Sequence, residues 1–244
     1  MTAAEDARPE APAPAPAGPG EPGRPREPRE PAVRRGVKVE RTWLDEGSWV
    51  DVVRGWVDGA DALYWTIVEN APLRHGKLFR YERWVETPYL GAGYRVGDPP
   101  LSPVLLDATR ALQARYRVSY DSYSFVWYRD QRDGMAFHRD REMRWLDDTV
   151  VALLVLGDRR PFVLRPRASR YAHEAPGKGA THDFAPGHGD LVVLGGACQV
   201  GWEHSVPQVA RPVGGRLSVQ WRWTSRTGRP VEGANWSAPR TYDR

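Results

Sequence analysis

The spacing of hydrophobic residues divides the chain into a helical part and a strand-like part. In 48–69 and 103–116, apolar positions recur at intervals of three or four residues, which is the period of an α-helix. Beyond residue 120, short apolar or alternating runs lie between glycine and proline turn signals, a pattern typical of strands. Strands are predicted over 37–43, 123–128, 149–156, 161–165, 190–194 and 216–223.

The predicted helix over 103–116 has the clearest boundaries. Ser102 suits the N-cap position and Pro103 suits the first turn. One apolar stripe follows along the helix, formed by Val104, Leu105, Ala108, Leu112 and Tyr116. The segment 80–98 is irregular and rich in aromatic residues and glycine, so we predict a loop or a hairpin there.

The order of these elements indicates a mainly β fold. None of the predicted strands is followed by a helix long enough for a parallel crossover. Many short strands with glycine turns favour a β-sandwich or jelly roll. The helices predicted at 48–69 and 103–116 would then pack on its outside, which gives an α+β domain.

The first 36 residues differ in composition from the rest. They hold nine of the 22 prolines, no aromatic residue, six acidic residues and six arginines. Such a segment buries too little apolar surface to offset the entropy of ordering it. We predict a disordered tail over 1–36 and one folded domain over 37–244, with its functional motifs between 120 and 224.

Composition narrows the class of protein further. Cys198 is the only cysteine, which excludes an intrachain disulfide and a thiolate metal cluster and favours a reducing compartment. No apolar run reaches the length of a membrane span, and the first residues lack the pattern of a secretory signal. We therefore expect a cytoplasmic monomer without membrane contact. The net charge of +4 does not decide for or against nucleic acid.

Two histidines and an aspartate form a candidate metal site. His138 and Asp140 follow a strand-like stretch, and residues two apart on a strand share a face. His204 lies 64 residues beyond Asp140. Two histidines and one carboxylate are the ligands of non-haem Fe(II) oxygenases. An isolated His-X-Asp is also common as a surface histidine beside a solvated aspartate. A second His-X-Asp, at His188, is predicted to form a turn instead.

Two arginines on one predicted strand strengthen the metal hypothesis. Arg216 and Arg222 lie six residues apart, so both point to the same face among apolar neighbours. Buried cations need an anionic partner, and a dicarboxylate such as 2-oxoglutarate supplies two carboxylates. In the alternative interpretation both arginines face solvent and the inward set is Leu217, Val219 and Trp221.

Five segments occur in a distinctive order. They are HRD at 138–140, LVLGDRRPFVLR at 154–165, PGHGDLVVL at 186–194, WEHSVP at 202–207 and RLSVQWR at 216–222. Together they resemble the AlkB family of Fe(II)- and 2-oxoglutarate-dependent dioxygenases, over roughly residues 78–224. The resemblance implies a double-stranded β-helix, or jelly roll, with flanking helices, and Fe(II), 2-oxoglutarate and dioxygen as cofactor and co-substrates.

The resemblance also implies roles for particular residues. His138, Asp140 and His204 match the iron ligands. Arg216 matches the arginine that pairs with the distal carboxylate of 2-oxoglutarate. Arg222 matches a second arginine, near the carboxylate that chelates iron. Tyr128 matches a tyrosine that hydrogen-bonds the co-substrate, and Asp190 matches the structural aspartate of the turn before the next strand.

The substrate implied by the resemblance is an N-alkylated nucleobase in DNA or RNA, as in alkylation repair by demethylation. A base in a duplex must leave the stack to reach such a pocket. Candidate substrate residues are Glu142 in the base pocket, Trp84, Tyr89 and Tyr94 as stacking platforms, and Arg139, Arg141 and Arg144 towards phosphates. Core packing is the alternative for Trp84, and a solvated surface is the alternative for the arginines.

One position departs from the family pattern. Val126 stands where the family usually has an asparagine that contacts the co-substrate, and a lost hydrogen bond costs about 1 kcal/mol net. This departure keeps two other hypotheses open. One is an oxygenase of the same chemistry that acts on a small molecule or a protein side chain. The other is a catalytically silent jelly-roll binding module, which an intact triad and both arginines argue against.

Overall fold

The computed structural model describes residues 29–80, 82–95, 97–140, 143, 145–167 and 181–224. Three helices lie in this part of the chain: α1 (Ala60–Asn70), α2 (Pro103–Tyr116) and the short α3 (Cys198–Gly201). The strands are β1 (Ala32–Val33), β2 (Glu40–Trp43), β3 (Ser48–Val53), β4 (Val57–Asp58), β5 (Arg74–Arg80), β6 (Arg83–Arg95), β7 (Ser122–Tyr128), β8 (Met135–His138), β9 (Thr149–Gly157), β10 (Val163–Pro166), β11 (His182–Asp183), β12 (Asp190–Gly196), β13 (Trp202–Val206) and β14 (Arg216–Thr224). None of the described helices is long and apolar enough to cross a membrane.

Two antiparallel sheets face each other and form the jelly roll. The larger sheet has the strand order β2-β3-β12-β9-β14-β7-β6-β5, and the smaller has the order β11-β10-β13-β8. Apolar side chains from both sheets meet between them, including Leu153 and Val192 from the larger sheet and Leu164 and Val206 from the smaller. The predicted mainly β jelly roll is confirmed, and its inter-sheet space is where the site lies.

A second core cluster covers the outer face of the larger sheet. Helices α1 and α2 pack there, through Leu63 and Ile67 of the first and Leu105 and Leu112 of the second. Their partners on the sheet include Val219 of β14. The central strands are therefore buried on both faces, which explains the unbroken apolar sequence of β9.

The helix predicted over the first part of 48–69 is wrong. Residues 48–53 form β3, which pairs with β2 on one side and β12 on the other. Val50 and Val52 point between the sheets, while Val53 packs on the helical side. A short apolar run fits both periods, and β-branched residues favour the strand. Only 60–70 is helical, and α1 starts after Gly59, whose φ is +63°.

The remaining predicted elements are close to those observed. Helix α2 begins and ends as predicted. The segment 80–98 belongs to a hairpin formed by β5 and β6, whose pairing shifts register between His75 and Lys77. The strand predicted over 37–43 is limited to Glu40–Trp43.

The folded domain begins before residue 37. Strand β1 pairs with β4, and the Arg34 amide donates to the Trp56 carbonyl at 2.8 Å. A Cβ placed on Gly59 would lie 2.6 Å from the Arg29 carbonyl oxygen, so the chain passes in close contact there. The tail boundary predicted at residue 36 is therefore too late; residues 1–28 of that tail lie outside the described residues.

Two truncations should separate the tail from the domain. Deleting residues 1–28 is expected to leave the melting temperature within about 1 °C of the full chain, whereas deleting 1–36 should lower it by about 5 °C or more, since β1 and its hydrogen bonds are lost. Differential scanning calorimetry of both proteins measures this. Equal melting temperatures would contradict a stabilising role for β1.

Candidate metal and co-substrate site

The paired strands of the smaller sheet bring the two histidines together. His138 is the last residue of β8, and His204 lies opposite it in β13, so the rings are 4.2 Å apart between centroids. Asp140 follows two residues after His138. One potential ligand atom from each of these three residues lies within 4.8 Å of the others. The fold therefore brings the three residues predicted as metal ligands together.

Hydrogen bonding and burial prepare these donors for a cation. The His138 Nδ1 lies 2.9 Å from the Ala136 carbonyl, which can only accept, so Nδ1 donates this hydrogen bond and Nε2 is the ring nitrogen that remains to face a metal. Burial, with His138 nearby, lowers the pKa of His204 to about 3, which keeps its imidazole neutral. Burial favours a raised pKa for Asp140, but Arg222 and the two histidines outweigh it and hold that pKa well below its ordinary value.

Arg222 binds the aspartate of this group directly. Its Nε donates to Asp140 Oδ2 at 3.0 Å, and its Nη1 donates to Ser124 Oγ at 3.2 Å. The guanidinium comes from β14 in the larger sheet, across the inter-sheet space from β8. It therefore keeps the carboxylate ionised and oriented from the opposite wall of the site.

Strand β14 settles the two interpretations of its arginines. Ser218, Gln220 and Arg222 line the inter-sheet cavity, together with Tyr128 from β7. The alternating set Leu217, Val219 and Trp221 packs against the helices on the other face. The solvent-facing alternative is wrong because β14 is a central strand with both faces covered.

Arg216 has no anionic partner among the described residues. Its side chain is fully buried, and none of its three guanidinium nitrogens reaches an acceptor there. The guanidinium lies 5.5 Å from the centre of the Tyr128 ring. Burial lowers its pKa to about 10, so it stays cationic at neutral pH. Because an unpaired buried charge is costly, this position fits the carboxylate of a bound ligand.

Arg160 adds a second buried cation that the sequence analysis missed. Its guanidinium donates to the carbonyl oxygens of Asp130 at 3.0 Å and of Asp133 and Pro207 at 2.8 Å each. It lies 5.6 Å from the centre of the Tyr128 ring, and its charge contributes to the lowered pKa of Arg216. An arginine pair in a turn usually faces solvent, so the sequence holds no signal for it.

The structure places the predicted substrate residues in different environments. Tyr94 stacks on Tyr123 at 5.6 Å in the helical-side core, so its prediction as a base platform at the site is wrong. Tyr89 packs on the inter-sheet side, with its ring 5.9 Å from that of Tyr128. Trp84 is 68% exposed, which rules out core packing. Glu142, Arg141 and Arg144 lie outside the residues that the structure describes.

The second His-X-Asp motif is structural, as predicted. His188 Nδ1 accepts from the Gly157 amide at 2.8 Å, and its Nε2 lies 2.8 Å from the Asp61 carboxylate. Asp190 accepts from the amides of Gly55 and Gly187, each at 2.8 Å. These contacts hold the turn before β12 and leave neither residue near the metal group.

The donor set fits the cofactors of a 2-oxoglutarate oxygenase. Two neutral imidazoles and one carboxylate are the ligands that Fe(II) takes in such enzymes, with further positions left for co-substrates. The unpartnered Arg216 matches a carboxylate that must come from a ligand. Tyr128 lies next to both: it lines the cavity of the metal group, and the Arg216 guanidinium is 5.5 Å from the centre of its ring.

Comparison with known proteins agrees with this geometry. Residues 70–228 match the model of the 2OG-Fe(II) oxygenase superfamily. The chain is 24% identical over 201 residues to the alpha-ketoglutarate-dependent dioxygenase alkB homolog 3 of Bos taurus, covering 75% of this chain and 67% of the relative. It is 27% identical over 156 residues to the DNA oxidative demethylase ALKBH2 of Arabidopsis thaliana, covering 57% of this chain and 48% of the relative.

The solved structures show the same fold. A prolyl hydroxylase from Trichoplax adhaerens, in complex with a hypoxia inducible factor peptide, superposes with a TM-score of 0.51 at 11% identity, over 71% of this chain and 83% of that one. The chain spans less than half of the mouse alkB homolog 3 that it also matches, 44% of its length. The family match covers more than half of the chain, so the chain, which is similar to these AlkB homologues, belongs to the 2OG-Fe(II) oxygenase superfamily.

Proposed function

We propose that this chain is an Fe(II)- and 2-oxoglutarate-dependent dioxygenase that removes N-alkyl groups from nucleobases in nucleic acid. One observation carries the oxygenase part: Tyr128 lines the cavity of the His-Asp-His group, and the guanidinium of Arg216, a buried arginine with no anion among the described residues, lies 5.5 Å from the centre of the Tyr128 ring. A silent binding module would have no use for either feature.

The residues of the site have distinct roles in this proposal. His138 Nε2, Asp140 and a neutral His204 hold Fe(II), and Arg222 keeps the aspartate ionised. Arg216 pairs with the distal carboxylate of 2-oxoglutarate. Bound there, the metal and its co-substrates supply the oxidising equivalents that hydroxylate the alkyl carbon next to a base nitrogen.

The walls of the site support a reaction that must exclude water. Met135, Leu153 and Val206 line the cavity beside the metal group. The Tyr128 hydroxyl is buried, and burial raises its pKa to about 12, so it stays protonated and can donate to a ligand oxygen. After hydroxylation, no further protein group is needed to break the bond between the alkyl carbon and the base nitrogen. The carbon is released as an aldehyde and the hydroxyl proton passes to the nitrogen.

The tip of the β5–β6 hairpin supports nucleic acid as the substrate. Phe79 and Trp84 face each other across the strands, with ring centres 5.5 Å apart, and both are more than half exposed. Exposed Lys77 and Arg83 lie near them, together with the exposed acidic residues Glu82 and Glu86. Exposed aromatic side chains bind single-stranded bases by stacking. The relative from Arabidopsis, a DNA oxidative demethylase, points to the same class.

The direct test measures succinate formed in the presence of Fe(II), 2-oxoglutarate and oligonucleotides. Single- and double-stranded DNA and RNA with defined N-methyl lesions are compared with the same sequences without lesions. Stimulation by methylated strands, together with formaldehyde release, supports the proposal. Fe(II)-dependent succinate formation that no oligonucleotide stimulates would instead favour a small molecule or a protein side chain as the substrate.

Trp84 should matter for the oligonucleotide and not for the co-substrate. Because stacking on one base contributes about 1–3 kcal/mol, Trp84→Ala is expected to raise the KM for a methylated single strand by roughly tenfold. Trp43→Ala is the matched control, because Trp43 is 59% exposed on β2, at the opposite edge of the larger sheet. Equal effects of the two substitutions would contradict a substrate role for the hairpin.

A further inference from the structure

A buried glutamine connects the metal-binding segment to the turn before β13. Gln199 lies in α3 and is 0% exposed. Its Oε1 accepts from the Asp140 amide at 2.9 Å. Its main-chain carbonyl accepts from Arg139 Nη1 at 3.0 Å. The single residue Gln199 therefore binds both residues that follow His138.

Asp140 needs such a contact more than the histidines do. His138 and His204 lie on paired strands, whose ladder sets their positions. Strand β8 ends at His138, so the ladder does not extend to Asp140. Arg222 contacts the Asp140 side chain from the other sheet. The contact to its main-chain amide comes from Gln199.

The side-chain NH2 group of Gln199 points to a functional role. Its Nε2 is inaccessible to solvent and has no hydrogen-bond partner among the described residues. Burying a half-satisfied amide costs free energy that an apolar side chain of the same size would avoid. Packing alone is therefore a poor explanation for a glutamine at this position.

We propose that Gln199 is a positioning residue that sets the main chain at Asp140, so that the carboxylate meets the metal together with both histidines. This inference rests on the proposed function, because it assumes that His138, Asp140 and His204 hold a metal. Outer contacts of this kind change metal affinity by about 10–100-fold in other metal sites.

The test is a titration of the full chain with Mn(II), followed by electron paramagnetic resonance, which needs no turnover. Gln199→Met is expected to weaken Mn(II) binding by about tenfold. The matched control is Gln113→Met, because Gln113 Oε1 also accepts a main-chain amide, that of Tyr120 at 2.9 Å, on the helical side of the larger sheet. We expect the control to bind Mn(II) within about twofold of wild type.

A second substitution identifies the atom that matters. Gln199→Glu keeps the acceptor for the Asp140 amide and removes the Nε2 donor, so we expect it to bind Mn(II) at least as tightly as wild type. Gln199→Ala also removes the acceptor for the Asp140 amide, and it serves as the test if the methionine side chain does not fit. Calorimetry of all variants separates a local effect from a general loss of stability.

Three results would overturn the inference: unchanged Mn(II) affinity in Gln199→Met and Gln199→Ala, an equal loss in Gln113→Met, or a loss in Gln199→Glu as large as in Gln199→Met. Failure of the proposed function looks different. The wild-type chain would then bind no Mn(II), or His204→Ala would bind it as tightly as wild type.

Discussion

Replacing Arg216 with alanine should raise the KM for 2-oxoglutarate by about 30-fold or more, because a buried charge-assisted contact is worth roughly 2–5 kcal/mol when one partner is left alone. Arg216 is fully buried, and its three nitrogens have no acceptor among the described residues. A ligand carboxylate therefore gains the whole of this interaction. Initial rates of succinate formation against 2-oxoglutarate concentration measure the effect.

Three comparisons make the result specific. Arg216→Lys should recover only part of the loss, since an ammonium group cannot form the two parallel bonds of a guanidinium. Affinity for Mn(II) should change little, because Arg216 is not among the potential ligands. Arg165→Ala is the matched control: Arg165 pairs with Glu203 at 2.9 Å within the smaller sheet. An unchanged KM in Arg216→Ala would limit the family resemblance to the fold.

Arg222 should behave differently from Arg216. Its Nε contacts the carboxylate of Asp140, so its loss removes the nearest compensating charge from a candidate metal ligand. We expect Arg222→Ala to lower kcat and metal affinity together, with a smaller effect on the KM for 2-oxoglutarate. The contrast follows from their positions on β14: Arg216 is its first residue, whereas Arg222 lies six residues further along and contacts Asp140.

The sequence was sufficient for the parts of the fold that repeat a simple period. Strands β7, β9, β12 and β14 and helix α2 were predicted close to their observed bounds, from apolar runs between turn signals and from Ser102 and Pro103. Part of the His-Asp-His group was predictable from spacing, since His138 and Asp140 lie two residues apart at the end of one strand. His204 came from the resemblance in segment order to a known family, and the structure brings its ring nitrogen to the other two donors.

What the sequence could not give depends on which elements become neighbours. Residues 48–53 read as a helix because the sequence does not show that β2 and β12 flank them. Tyr94 was a candidate stacking platform from the family resemblance, yet its pairing with Tyr123 turns it towards the helical core. Arg160 becomes a site residue only through three carbonyl groups from two distant loops.

Removing His204 should abolish turnover. Because the other two candidate ligands cannot hold Fe(II) in the same position, His204→Ala is expected to retain less than about 1% of wild-type succinate formation. The same result is expected for His138→Ala and Asp140→Ala, since the three potential ligand atoms lie within 4.8 Å of one another and form a single group among the described residues. Activity with saturating Fe(II), together with Mn(II) titration, checks this.

His188→Ala is the matched control for this prediction. It removes a histidine from the other His-X-Asp motif, where His188 contacts the Gly157 amide and the Asp61 carboxylate. That variant should lose stability, because the Gly157 amide loses its acceptor, and should keep metal binding at one ion per chain. Loss of turnover in His204→Ala with an unchanged melting temperature then assigns the effect to the metal. Substantial Fe(II)-dependent activity in His204→Ala would remove this histidine from the ligand set and leave His138 and Asp140 without their partner from β13.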